Sequence, residues 1–205
     1  MKYFLKYAFL IALIAITIFS CKNRNEDPQP VEENELITTV ELTFTRLDAN
    51  GNVVSPQIPV VTIWEDLDGT GTGAPVVSPA SIILFRNTRY RIGVRFLDKT
   101  KNPVKNVTDE VSGEGTKHQI FFIRNATDIF SAFAYGDTDS GGKPIGLIAN
   151  ITTNSTSTSG SLRIVLRHEP NKNAAGVSTG NITNAGGSTD VDTTPAFNIN
   201  FVIAP

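Results

Sequence analysis

The stretch YRIGVRF, residues 90–96, decides the fold class. Tyr90, Ile92, Val94 and Phe96 alternate with Arg91, Gly93 and Arg95, and Arg89 extends the polar row. Successive side chains of a strand point to opposite faces, so the stretch reads as a strand with one buried and one solvated face. A helix would also need large apolar residues three apart, and within the stretch no pair is so spaced.

The same period of two extends in both directions. VELTFT places Val40, Leu42 and Phe44 on one face and Glu41, Thr43 and Thr45 on the other. DANGN (48–52) is a turn signal, and VVTIW and SIILF supply further strands. After a polar loop, KHQIFFI resumes the extended pattern. DIFSAFAY fits a strand or a helix, and PIGLIANITT reads as a strand through Ile145, Leu147, Ala149 and Ile151. TNSTSTSG (153–160) is a turn, and SLRIVLRH then points Leu162, Ile164 and Leu166 inward and Arg163, Val165 and Arg167 outward. A loop of about 25 residues follows, long enough to suggest a functional role. FNINFVI closes the chain with Phe197, Ile199, Phe201 and Ile203 on one face. Roughly eight or nine closely spaced strands without a convincing amphipathic helix predict an all-β domain, a single antiparallel β-sandwich, with a β-barrel as the alternative.

The chain begins MKYFLKYAFLIALIAITIFSC. Lys2 and Lys6 form a basic head, Tyr7 to Phe19 a mostly apolar run, and Ser20 a small residue before Cys21. These are the parts of a secretory signal peptide, and the run is shorter than the roughly 20 residues a spanning helix needs. Ile18, Phe19, Ser20 and Cys21 resemble a bacterial lipobox. That resemblance implies cleavage before Cys21 and lipid attachment to its thiol, since several acyl chains hold a protein stably on a membrane. The expected organisation is a signal peptide at 1–20, a lipidated flexible tether at 21–35 (CKNRNEDPQPVEENE) and a β-sandwich domain at 36–205. Cys21 is the only cysteine, so no internal disulfide forms.

Removing the leader takes Lys2 and Lys6 and leaves 16 basic and 20 acidic residues, a formal charge of −4. With no basic excess and no aromatic-basic patch, nucleic acid is not an expected partner. In lipoproteins of the Bacteroidota, acids soon after the cysteine direct export to the outer face; here they start at Glu26. The expected location is the outer membrane, lipid-anchored on its periplasmic or cell-surface face.

The segments WEDLDGTG, HQIFF, YGDTDSGGKPIGL, LRIVLRHEPNK and GVSTGNITNAGGSTDVD resemble a group of small Bacteroidota lipoproteins. The resemblance spans most of residues 36–203. Proteins of that group are often labelled with a type 1 periplasmic-binding fold and encoded near TonB-dependent outer-membrane receptors. It implies such a receptor as a partner. The fold label does not suit this chain, which has neither the length nor the alternating helices of two α/β lobes.

Chemistry rests on two histidines, His118 and His168, each at a strand end. Parity sets His118 with Ile120 and Phe122, and His168 with Leu162, Ile164 and Leu166, so both face inward at the rim. If the rims meet, two imidazoles can hold a transition metal, with Glu114 or Glu169 as an oxygen donor, although parity turns Glu169 away. Hydrogen-bonded rim histidines with no ion fit the same pattern, and a haem held between them is a further variant. EDLDGTGTG and GDTDSGG are acidic glycine-rich turns, but position twelve of a calcium loop falls on Val77 or Ile148, which carry no oxygen. NAGGSTDVDTT is the expected recognition surface. No nucleophile motif, phosphate loop or cofactor fingerprint is present, so an enzyme is not expected. The residues therefore predict a lipid-anchored binding protein holding a metal through two histidines, and the resemblance implies a role accessory to a TonB-dependent transporter. The alternative is a surface interaction protein without a small-molecule site.

Overall fold

The computed structural model describes residues 36–69, 71–125 and 129–205. The signal peptide, Cys21 and the tether lie outside the described residues. The described chain is an all-β sandwich, and neither of its two sheets closes into a barrel.

The first sheet runs β3 (Val76–Ser78), β2 (Val60–Glu65), β1 (Thr39–Leu47), β5 (Arg89–Asp98), β9 (Ile148–Thr153) and β8 (Phe130–Tyr135), with β6 (Lys105–Asn106) paired to β5. The second is centred on β10 (Ser159–His168). One side of β10 carries β7 (His118–Arg124); the other carries β12 (Phe197–Val202) along its first half and β11 (Ser188–Asp192) along its second. β4 (Ile82–Phe85) joins β12 in the one parallel pairing among the described strands.

Alternation builds the core as expected. Val40 lies opposite Phe96, Leu42 opposite Val94 and Phe44 opposite Ile92. All are buried, and they meet Ile120, Phe122, Leu162, Ile164, Leu166, Phe197, Ile199 and Phe201 of the second sheet. Each such side chain contributes about 1.5–3 kcal/mol on leaving water. The arginines of β5 occupy its other, solvated row: Arg89, Arg91 and Arg95 are exposed.

The structure settles one choice and corrects several details. Within DIFSAFAY, Phe130–Tyr135 is a strand, β8, because it pairs with β9. β9 starts at Ile148 rather than near Ile145, since Gly146 at φ 96° breaks the extended chain; Ile145 still reaches the core. β12 buries three of its four expected side chains, and Ile203 lies beyond it in solvent. Val165 is not outward in water. The segment after His168 folds back in two short 3-10 turns, Val177–Thr179 and Ile182–Asn184, and Val177 and Ala185 cover Val165 and Phe121. The same segment, expected as loop, also supplies strand β11. One short helix, α1 (Thr108–Gly113), buries Val111 just ahead of β7.

Candidate metal centre

β7 and β10 run antiparallel, and their regular register sets Leu166 opposite Ile120 and His168 opposite His118. Directly opposed residues on one face come within side-chain contact. The two rings meet edge to face with centroids 4.9 Å apart, and His168 Nδ1 lies 3.1 Å from His118 Nε2. Both histidines face inward as parity requires, and the two rims, whose meeting parity leaves open, do meet.

His118 Nδ1 lies 3.2 Å from the backbone oxygen of Glu114 at the end of α1. Placing the proton on Nδ1 lets it donate to that carbonyl and leaves Nε2 with its lone pair free to accept or to ligate. The Glu114 carboxylate takes no part: it pairs with Lys117 at 3.2 Å and stands in solvent. Glu169 is also exposed, at φ 51°. Neither glutamate supplies the oxygen donor.

Asp190 supplies it. Its Oδ2 lies 3.6 Å from His118 Nε2 and 4.0 Å from His168 Nδ1. The three atoms form a triangle with sides of 3.1, 3.6 and 4.0 Å. A point equidistant from its corners lies about 2.1 Å from each, the length of a zinc bond to imidazole or carboxylate. The Asp190 side chain is 1 % exposed, yet neither of its carboxylate oxygens has a hydrogen-bond partner among the described residues. A buried, unsatisfied carboxylate is costly, and native proteins seldom keep one without a reason.

The β10–β11 register explains how this residue arrives. Leu166 faces Val191, and the next pair is Arg167 with Thr189, so Asp190 has no partner across the ladder. It is the extra residue of a β-bulge, which re-aims one side chain out of the alternating pattern. Val191 packs in the core beside Leu166, Arg167 bonds the Thr189 hydroxyl, and Asp190 turns toward the histidines.

Burial pushes the Asp190 carboxyl up to about 6, opposed by a smaller downward pull from His168. Burial also holds the His118 imidazole below its ordinary value, against the Glu114 hydrogen bond, and His168 adds to the lowering. At neutral pH both groups are therefore in the forms that bind metals, a carboxylate and a neutral imidazole. The geometry does not suit haem: a porphyrin must be met by one imidazole nitrogen on each face, and nitrogens 3.1 Å apart leave no room between them.

The acidic turn at 136–142 has its carboxylates engaged. Asp137 accepts from the N–H groups of Gly146 and Ile148. Asp139 accepts from Gly141 and Lys143 and from the buried Lys172 ammonium. They serve as turn and loop staples. His118, His168 and Asp190 are the one group of three or more His, Cys, Asp or Glu side chains among the described residues close enough to share an ion.

No protein-family model, curated protein or solved structure matches the chain.

Proposed function

We propose that this protein is a lipid-anchored binding protein of the cell envelope that holds one divalent transition metal through His118 Nε2, His168 Nδ1 and Asp190 Oδ2. The observation that carries this reading is the buried, unpartnered carboxylate, aimed at two imidazole nitrogens that lie with it around a point at metal-bond distance. Two imidazoles and a carboxylate are a donor set that suits zinc and neighbouring first-row ions. The Cys21 anchor in the outer membrane and the service to a TonB-dependent receptor rest on the N-terminal sequence and on the resemblance of the β-domain motifs. Binding is the proposed role rather than catalysis.

The test is titration of tag-free protein with Co²⁺ and Zn²⁺. One ion per chain is expected, with a visible Co²⁺ spectrum of imidazole and carboxylate ligation that is lost in His118→Ala and Asp190→Asn. Wild-type protein that binds neither ion would sink the reading. A second reading, a surface interaction protein without a small-molecule site, draws on one fact: 3.1 Å is also a hydrogen-bond distance between two neutral imidazoles. That reading satisfies the histidines and leaves Asp190 unexplained.

A further inference from the structure

Asp190 belongs to two features. Besides facing the histidines, it lines a surface cleft of about 620 Å³ between the loop after β2 and strand β11. Four carboxylates line that cleft, Asp66, Asp68, Asp190 and Asp192, and no Lys, Arg or His does. Arg163 lies 3.6 Å from Asp192 and partly offsets it, whereas no cation pairs with Asp66 or Asp68 among the described residues. The acids are graded in exposure: Asp68 is exposed, Asp66 half-buried and the Asp190 side chain 1 % exposed. One oxygen of Asp66 is buried without a hydrogen-bond partner among the described residues, and burial, joined by the abutting Asp68 carboxyl, pushes its carboxyl up. A cleft lined by one sign of charge with low-dielectric walls raises the local concentration of counter-ions, and Asp190, whose carboxylate lies beside the histidines without a hydrogen-bond partner among the described residues, is one of the residues that line it.

We propose that this cleft is the route by which a divalent cation reaches the histidine pair, with Asp68 and Asp66 met first and Asp190 last. The inference rests on the metal-binding reading above and adds the path and its chemistry. Asp66 and Asp68 act on the rate of capture, and Asp190 acts on retention.

Stopped-flow binding of Zn²⁺ or Co²⁺ to tag-free protein separates these roles. In Asp66→Asn/Asp68→Asn the association rate should fall about tenfold at low ionic strength, with the dissociation rate unchanged. The gap should close as salt is raised toward about 0.5 M. Glu41→Gln/Asp109→Asn removes the same charge from outside the cleft and should leave the rate near that of wild type. Should the cleft variant fold poorly, the wild-type association rate alone must fall with added salt. A wild-type rate indifferent to salt, a cleft variant as fast as wild type, or a control variant equally slowed would overturn the route and leave the metal site standing. Wild-type protein that binds no ion overturns both.

Discussion

Asp190→Asn should make the metal-free protein more stable above pH 7. The Asp190 carboxyl is raised to about 6 in the folded chain from an ordinary value of 3.8. An acid with a raised folded value holds its proton more tightly folded than unfolded, so ionisation opposes folding. That penalty is absent below about pH 4, grows between pH 4 and 6 and is complete above about pH 7. A shift of about two units corresponds to roughly 3 kcal/mol, of which about half is present at pH 5. Asparagine keeps the shape, removes the charge and can donate an amide N–H to His118 Nε2. The lowered His118 value destabilises the folded chain on acidification in both proteins, so it drops out of their difference to first order. Urea unfolding in the presence of a chelator, at pH 8, 5 and 4, measures the effect. The expected gap at pH 8 raises the melting temperature by about 6–12 °C for a domain of this size. A variant less stable than wild type at pH 8, or a gap that does not change with pH, would refute the assignment of Asp190 as an uncompensated buried charge. The same substitution should abolish tight metal binding, so stability and binding move in opposite directions.

Metal affinity should weaken between pH 7.5 and 5 by about tenfold from Asp190 protonation alone, measured by competition with a chromophoric chelator. Lys172 donates to Asp139, Gly115 and Pro144 while nearly buried; Lys172→Met should cost about 3–5 kcal/mol in urea unfolding, because it leaves a buried carboxylate unpaired. Gly187 has φ 68°, and a Cβ there would stand 2.1 Å from the His168 carbonyl oxygen. Gly187→Ala should therefore push β11 off the end of β10 and weaken metal binding at least tenfold, with a stability loss of about 1–3 kcal/mol. Cys21→Ser should abolish incorporation of labelled palmitate and release the protein from the membrane fraction; labelling that persists would remove the anchor.

Eight strands were legible because each carries its own extended pattern, and a ninth, β8, fitted a strand or a helix until its pairing with β9 decided it. Tyr90, Ile92, Val94 and Phe96 need no knowledge of their neighbours to declare a buried face, and all four are in the core. The three strands that escaped notice, β3, β6 and β11, are two to five residues long and polar or mixed, VVS, KN and STDVD. They are strands because a longer neighbour pairs with them, and that information is not local. The outward reading of Val165 went astray for the same reason. Parity is right about which face Val165 occupies, but it does not show that a turn carrying Val177 and Ala185 lies over that face.

The candidate site divides along the same line. His118 and His168 sit on regular strands, so parity alone turns both inward, and pairing of β7 with β10 then brings them together. Asp190 breaks parity. In STDVD strict alternation sends Val191 inward and both flanking aspartates outward, and Asp192 obeys, lying 3.6 Å from the solvent-facing Arg163. Asp190 faces inward only because the bulge inserts it as an extra residue. Two unfavourable features therefore coincide at one position: a break in the ladder and a buried carboxylate without a hydrogen bond. A hydrogen-bonded histidine pair requires neither, since an apolar residue or an asparagine at 190 would close the core at lower cost. The metal ion proposed above would account for both, because it would take the carboxylate brought out of register together with two imidazole nitrogens at a common distance.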